Sequence, residues 1–166
     1  MTANVSTAPI IRERRLEDSV WYLGSNLFTT LVDSSETGGR YSLLRFTSAR
    51  GNEPPPHTHT REDEVFYILS GEIEGRIGDQ PFRAGPGTTI HLPQGLEHHW
   101  TILSETVDVL TWFTPGGLEP YFRHPDLSVP ATELRLGPPL TDPSVYGRAA
   151  QLLADYGVIM PPPPGM

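Results

Sequence analysis

The chain has 166 residues, of which 37% are hydrophobic and 19% charged, and its 16 glycines and 18 prolines favour turns and short strands over long helices. Twelve basic residues against twenty acidic ones give a net charge of −8, which argues against nucleic acid and membranes as partners. The chain contains no lysine and no cysteine, which excludes Schiff-base and pyridoxal phosphate chemistry, thiol nucleophiles, cysteine-ligated metals and disulfides.

The first segment, residues 1–18, is predicted to be a solvated N-terminal arm that carries Arg12, Arg14 and Arg15. It contains no apolar stretch like that of a signal peptide, and the chain has no run of about 18 apolar residues. A cytoplasmic location is therefore expected.

Short segments rich in β-branched and aromatic residues follow, each bounded by Gly, Pro, Asn or Asp. Strands at such regular spacing are typical of an all-β sandwich or barrel, which we place at residues 19–117. In the clearest strand, Glu72–Ile77, polar and apolar residues alternate, and Gly78-Asp79 then predicts a tight hairpin turn. The predicted strands are Leu27–Val32, Tyr41–Phe46, Glu64–Leu69, Glu72–Ile77, Thr88–Leu92, His98–Ile102 and Val107–Phe113.

The remaining residues, 118–166, are predicted to form a helical extension and a proline-rich tail. Leu118–Arg123 can form one helical turn, and a longer helix is expected to begin at Asp142 and Pro143 and to end at Gly157. Pro161–Pro164 cannot continue a helix and is expected to be extended. The residues expected on the apolar face of the longer helix are Val145, Ala149, Leu152, Leu153 and Tyr156.

Histidines are concentrated in one part of the chain, since five of the six lie between residues 57 and 99. Imidazole is the commonest metal ligand in proteins, so this clustering indicates a metal site. His57 and His59 are two residues apart, and on an extended strand both rings project from the same face. The pair could chelate one ion.

Further ligand candidates must come from other strands. Glu64 lies an odd number of residues after His59, so it is expected to open the next strand, with Phe66 and Ile68 on its face. Further along the chain, one face of a strand carries His98, Trp100 and Ile102. His99 points the other way and is expected to lie at the surface or to contact a metal ligand without binding the metal. His91 is expected to pack or to line the pocket, and Glu62 and Asp63 are expected to be solvated turn residues.

These residues resemble the two sequence motifs of the cupins. Gly51-(x)5-His57-x-His59-(x)4-Glu64-(x)6-Gly71 resembles the first motif, and Gly87-(x)5-Pro93-x-Gly95-(x)2-His98 resembles the second. The resemblance covers roughly residues 22–115, and the C-terminal helix and proline-rich tail are similar to those of small quercetin-dioxygenase-like cupins. One departure is Ile102, which stands where the second motif often ends in Asn.

The resemblance implies an all-β double-stranded β-helix, the cupin jelly-roll barrel, with a short C-terminal helix. It also implies one divalent first-row transition metal, Fe, Ni, Mn, Co, Cu or Zn, ligated by His57, His59, Glu64 and His98. Phe66, Ile68, Trp100 and Ile102 share the ligand-facing side of their strands, so an apolar, aromatic-lined substrate pocket is expected.

Cupins carry out many different reactions, so the fold leaves the function open. The leading hypothesis is a quercetinase-type dioxygenase, in which Glu64 would also accept the proton of a flavonol or related phenolic substrate. The alternatives are an isomerase or cyclase that uses the same metal as a Lewis acid on a polyketide-like substrate, and a noncatalytic cupin that binds a small ligand. Expected partners are the small-molecule substrate, dioxygen and a second copy of the chain in a homodimer, to which an outward Trp112 could contribute.

Overall fold

Twelve strands and two helices occur in residues 8–161, the part of the chain that the computed structural model describes. Two single turns of 3-10 helix, Leu16–Asp18 and Ser34–Glu36, precede the first and third strands. The strands are β1 (Ser19–Tyr22), β2 (Asn26–Val32), β3 (Ser42–Ala49), β4 (Thr58–His59), β5 (Asp63–Ser70), β6 (Ile73–Ile77), β7 (Gln80–Ala84), β8 (Thr89–Leu92), β9 (His98–Ile102), β10 (Thr106–Thr114), β11 (Ser128–Pro130) and β12 (Val158–Ile159); the helices are α1 (Glu119–Phe122) and α2 (Ser144–Asp155).

The strands form antiparallel sheets, and the predicted all-β fold is confirmed. Seven strands form the largest sheet, in the order β11-β1-β2-β3-β10-β5-β8, and three form a second sheet in the order β7-β6-β9. A two-stranded sheet pairs β12 with β4, and a bridge between His57 and His98 joins this pair to β9. The predicted turn at Gly78-Asp79 is also confirmed, because Ile77 pairs with Gln80 and Gly78 has a φ of 53°.

The main hydrophobic core lies between the seven-stranded and the three-stranded sheets. Strand β3 alternates buried and partly exposed residues along its whole length, as expected for a strand with one face against a core. Phe46, Phe66 and Val109 come from the large sheet, and Trp100 and Ile102 come from the smaller one. Opposing faces of the two sheets thus share one packed cluster.

A second hydrophobic cluster attaches the C-terminal segments to the barrel. Leu44 and Phe113 of the large sheet pack in it with Tyr121 of α1, Leu152 of α2 and Val158 of β12. The predicted C-terminal helix is confirmed as α2, where the Asp142 side chain accepts a hydrogen bond of 2.9 Å from the backbone N–H of Ser144. Neither helix of residues 8–161 is long and apolar enough to cross a membrane.

The N-terminal segment and four short strands differ from expectation. Arg12 and Arg14 are partly buried instead of fully solvated, because Arg12 forms a two-pronged ion pair with Glu36 and the Arg14 Nε donates to Thr29 Oγ1 at 3.0 Å. The segment therefore packs along β2. Strands β1, β7, β11 and β12 were not predicted, since they are short and each depends on a partner distant in sequence or on the Gly78 turn. Residues 1–7 of the predicted arm, and the tail beyond Pro161, lie outside the described residues.

Candidate metal centre

Four side chains converge inside the barrel: three lie on strands, and the fourth lies just before β4 in a β-bridge to β9. His57 and His59 come from the β4 segment, Glu64 from the start of β5 and His98 from the start of β9. One ligand atom from each lies within 4.8 Å of the others, so the structure brings together the set that the sequence predicted. Their exposed fractions are 9% or less.

Backbone pairing explains why these side chains meet although 41 residues separate the first from the last. The His57 N–H donates to the His98 carbonyl at 3.1 Å, and the His98 N–H donates to the His57 carbonyl at 2.9 Å. This reciprocal pair fixes the β4 segment against β9. Glu64 does come from a separate strand, as predicted, because the bend at residues 60–62 turns the chain between β4 and β5.

The hydrogen bonds of the imidazoles leave one nitrogen of each ring available to a metal. The Nδ1 atoms of His57 and His98 lie 2.8 Å and 3.1 Å from the carbonyl oxygens of Pro55 and Leu96. Because a carbonyl can only accept, these Nδ1 atoms carry the protons, and in the neutral rings the Nε2 lone pairs are free. Burial, followed by the nearby charge of His98, lowers the pKa of His57 to about 4, so this ring is neutral at pH 7.

The third imidazole is held by a residue that the sequence reasoning misplaced. Glu62 was expected to be a solvated turn residue, but it is 5% exposed and its Oε1 lies 2.6 Å from Nδ1 of His59. Burial lowers the pKa of His59, but the hydrogen bond to Glu62 and the charges of Glu64 and Glu62 outweigh that effect and raise it. Carboxylates in this position orient a metal-binding histidine and increase its basicity.

Glu64 is the carboxylate of the cluster. Its Oε1 accepts a hydrogen bond of 3.0 Å from Thr111 Oγ1, and its Oε2 lies 3.3 Å from His59 Nε2. Burial raises the pKa of Glu64, but contact with His98 and the positive charges of the imidazoles outweigh burial and lower it. The side chain is therefore an ionised carboxylate among the three imidazoles.

The donor set fits a divalent transition metal. Nε2 of His98 is buried without a hydrogen-bond partner, since Oε2 of Glu64 is 3.6 Å away, and a buried polar atom of this kind calls for a ligand. Ligand atoms at about 2.0–2.2 Å from one ion lie at most about 4.4 Å apart. Shifts of a few tenths of an ångström from the 4.8 Å spread would bring all four donors into range.

A cavity of about 450 Å³ opens onto this cluster. Phe66 and Trp100 line it, as predicted, and Phe28 and Phe46 contribute further aromatic rings. Ile68 and Ile102 do not line it: they lie one pleat further along their strands, are 0% and 1% exposed and belong to the packed core.

Segments far from the ligands in sequence also line this cavity. Tyr121, Leu153 and Val158 belong to α1, α2 and β12 respectively, and each of them lines the cavity. Strand β12 also pairs directly with the ligand strand, with Val158 opposite His59. The C-terminal segment thus closes the cavity and supports a ligand at the same time.

The other two clustered histidines lie outside the metal-ligand group. His91 was expected to pack or to line the pocket, but its side chain is 56% exposed, because it alternates along β8 with the buried Ile90 and Leu92. Its Nε2 lies 3.4 Å from Oδ2 of Asp63. His99 is partly exposed on the face of β9 opposite His98. Asp63 is half-exposed and accepts a hydrogen bond from the Gln94 N–H at 2.8 Å.

Comparison with known proteins identifies a domain and a fold. Residues 44–114 match the family model described as "Cupin domain", a range that includes all four clustered side chains. A germin-like protein (subfamily 1 member 4) of Arabidopsis thaliana is 26% identical over 149 residues, and the match covers 82% of this chain and 64% of the relative. The quercetin 2,3-dioxygenase of Bacillus subtilis (strain 168) is 19% identical over 102 residues, covering 61% of this chain and 30% of that enzyme.

Solved structures support the same fold. The polyketide cyclase RemF from Streptomyces resistomycificus superposes with a TM-score of 0.53 at 22% identity, over 64% of this chain and 80% of that one. The matches to the two curated relatives are partial, since this chain spans 64% of the length of the germin-like protein and 30% of the length of the dioxygenase.

Proposed function

We propose, from the premise that this chain contains a cupin domain, that it is a metal-dependent enzyme, and specifically a dioxygenase of quercetinase type. Its substrate would be a flavonol or a related phenolic or enolisable small molecule. The observation that carries the proposal is the convergence of His57, His59, Glu64 and His98 at the wall of a cavity rich in aromatic side chains.

The four side chains would hold one divalent first-row transition ion. Such an ion, with positions left open by four protein ligands, polarises an enolate or phenolate oxygen and provides a site for dioxygen chemistry. The protein supplies the rest of the site: three imidazoles whose Nδ1 atoms are held by hydrogen bonds, one carboxylate, and an apolar cavity beside them.

Substrate chemistry follows from the shape and polarity of the cavity. Phe28 and Phe46 stack with ring centroids 5.4 Å apart, and Trp100 lies 5.9 Å from Phe46. Flat aromatic ligands gain most from such rings. A phosphorylated ligand would find no Arg or Lys among the residues that line this cavity. These features favour a planar phenol over a charged sugar or nucleotide phosphate.

Glu64 would accept the proton of the substrate hydroxyl. Its Oε2 faces the common point of the cluster, while Oε1 is held by the Thr111 hydroxyl, so the carboxylate is fixed in orientation. A substrate hydroxyl that approaches this point meets an ionised oxygen in a water-poor site. Proton transfer to a positioned carboxylate accelerates such reactions by about 10²–10⁴-fold.

The test combines metal analysis with substrate screening. We expect about one equivalent of a divalent ion per chain after reconstitution, and less than about a tenth of an equivalent with every ion tried would contradict the proposal. Flavonols and other phenols are then supplied with and without dioxygen. Turnover without dioxygen would replace the dioxygenase by an isomerase or cyclase, and binding without turnover would indicate a noncatalytic cupin.

The variant Glu64→Gln separates proton transfer from metal binding. It keeps the size and one oxygen of the side chain but removes the charge, so at matched metal content flavonol consumption should fall by about 10²–10⁴-fold. Raising the pH until the substrate ionises in solution should restore part of that rate. Undiminished rates with a pH profile parallel to that of the unmodified protein would show that Glu64 is not the base.

A further inference from the structure

A second polar group lies in the same cavity, away from the metal cluster. Asn26 begins β2 and Ser48 lies near the end of β3, and both line the cavity. They are almost fully buried, with exposed fractions of 6% and 3%. The Ser48 hydroxyl donates to Oδ1 of Asn26 at 2.6 Å. With the amide oxygen held by the Ser48 hydroxyl, Nδ2 is the end of the Asn26 side chain left for another partner.

The donor end of that amide is unused. Among the described residues, Nδ2 of Asn26 makes no hydrogen bond, although the residue is more than nine-tenths buried and lines the cavity. Asn52 lines the same cavity but differs, because its Nδ2 donates to Ser25 Oγ at 2.7 Å. Nδ2 is not one of the fully buried side-chain atoms without a partner among the described residues, so part of its surface is open to the cavity, where an acceptor oxygen of a ligand can reach it.

Strand register gives the separation of this donor from Glu64. Thr111, which holds the Glu64 carboxylate, pairs with Leu44 of β3. Ser48 is four residues further along the same strand, a distance of about 13 Å. Phe46 lies between them on the same face, so a flat ligand anchored at the metal cluster would pass the aromatic rings before it reached the amide.

We propose that Asn26 is a substrate-binding residue, which donates a hydrogen bond from Nδ2 to an oxygen at the end of the ligand remote from Glu64. This inference rests on the proposed function and narrows its substrate class. The ligand is a flat aromatic molecule with two polar ends: a hydroxyl that is directed to the metal cluster, and a second hydroxyl or carbonyl oxygen directed to Asn26. Ser48 keeps the amide in the orientation that this requires.

Equilibrium binding tests the inference without turnover. The probes are 3-hydroxyflavones that carry either a hydroxyl or a methyl group at position 7 or position 4′, measured by calorimetry on the zinc-loaded protein without dioxygen. The two substituents have similar size, but a hydroxyl buried without a partner binds less well than a methyl. We expect the hydroxyl probe of one of the two pairs to bind about threefold to tenfold more tightly.

Variants assign that preference to the amide. Asn26→Leu has similar volume and no donor, so the preference for hydroxyl should vanish or reverse, whereas Asn52→Leu should leave the ratio of the two affinities unchanged. Ser48→Ala is the second variant, in case Asn26→Leu does not fold: it releases the amide and should reduce the preference as well. A methyl preference in the unmodified protein, or a ratio unaffected by the folded variants, would overturn the inference.

The outcome is separate from that of the dioxygenase proposal. A hydroxyl preference that depends on Asn26 would stand even if no dioxygen were consumed, in which case only the proposed reaction would be wrong. Turnover of flavonols with no role for Asn26 would overturn only the inference. If no 3-hydroxyflavone bound to the zinc-loaded protein, the inference and the choice of a flavonol as substrate would both be overturned.

Discussion

Glu62 provides the sharpest test of how this site is built. Its carboxylate is 2.6 Å from Nδ1 of His59, and it lies outside the four-residue cluster that could hold a metal. Glu62→Ala removes the acceptor, so the imidazole loses the contact that keeps its proton on Nδ1 and its lone pair on Nε2. We therefore expect weaker metal binding although all four ligand candidates remain.

The magnitude follows from burial. Exposed fractions of 4% for His59 and 5% for Glu62 mean that water cannot replace the lost hydrogen bond without entering the site. Loss of a carboxylate that orients a metal-binding histidine typically reduces metal affinity by 10–100-fold, which is about 1.4–2.7 kcal/mol. Glu62→Gln keeps an acceptor oxygen without the charge, so its loss should be smaller than that of the alanine variant.

The assay is competition of the protein with a chromophoric chelator for zinc at pH 7. Glu97→Gln is the matched control, because it removes one carboxylate charge next to His98 in sequence, while its own side chain is exposed and forms no hydrogen bond or ion pair among the described residues. That variant should bind zinc like the unmodified protein. Equal zinc affinities for Glu62→Ala and the unmodified protein would refute the idea that Glu62 positions His59.

Other predictions concern the strand register, the packing of β9 and the dependence of stability on pH. His98→Ala should lose most of the bound metal and His99→Ala should keep it, since adjacent residues of β9 face opposite sides; equal losses, measured by metal analysis, would disprove the register. Gly75→Ala should destabilise the protein by about 1–3 kcal/mol and weaken metal binding, because its Cβ would lie 2.1 Å from the His99 carbonyl oxygen on the strand that carries His98. Gly85→Ala is the control for denaturant unfolding, since its Cβ meets only an ordinary contact at 3.6 Å, and a similar loss in both would contradict the clash. Burial raises the pKa of Glu119, but hydrogen bonds from Ser34 and from the backbone outweigh burial and lower it. The charged form of Glu119 therefore stabilises the fold above about pH 4.5, and this contribution is lost as the pH falls. Glu119→Gln should therefore cost about 1–2 kcal/mol at pH 7 and less at pH 3, and a difference that did not shrink with acid would contradict this.

Local patterns in the sequence were sufficient for the all-β fold and for the strand faces that carry the ligand candidates, whereas the jelly-roll barrel and the complete set of four ligands were implied by the resemblance to the cupin motifs. Alternation along a strand depends only on the two-residue period of the backbone, so the shared face of His98 and Trp100 could be read directly. The odd offset of Glu64 from His59 likewise required a separate strand, and β5 is that strand. Helix α2 was predicted from residues within itself and at its ends.

Features that depend on distant partners could not be predicted in this way. Glu62 occupies a polar bend, and its burial follows from tertiary contacts: the Thr60 N–H donates to the Gly157 carbonyl at 3.0 Å, so the C-terminal segment covers the bend. Likewise, Arg12 is held by Glu36, which lies 24 residues away. In both cases a polar side chain loses contact with water because a charged or hydrogen-bonding partner, or a covering segment, arrives from another part of the chain.

The candidate metal ligands come from one part of this chain, whereas the cavity is lined by that part and by segments on both sides of it. All four ligand candidates lie within residues 44–114, the range that matches the cupin domain, so similarity there bears on metal binding. Asn26, Phe28, Tyr121 and Leu153 line the cavity but lie outside that range. Substitutions within residues 44–114 that touch the ligands should therefore lower the affinity for the metal. The loss of metal should reduce turnover of every substrate alike. Substitutions in β2, α1 and α2 should instead change which substrate is preferred, because those elements shape the walls that a bound ligand contacts.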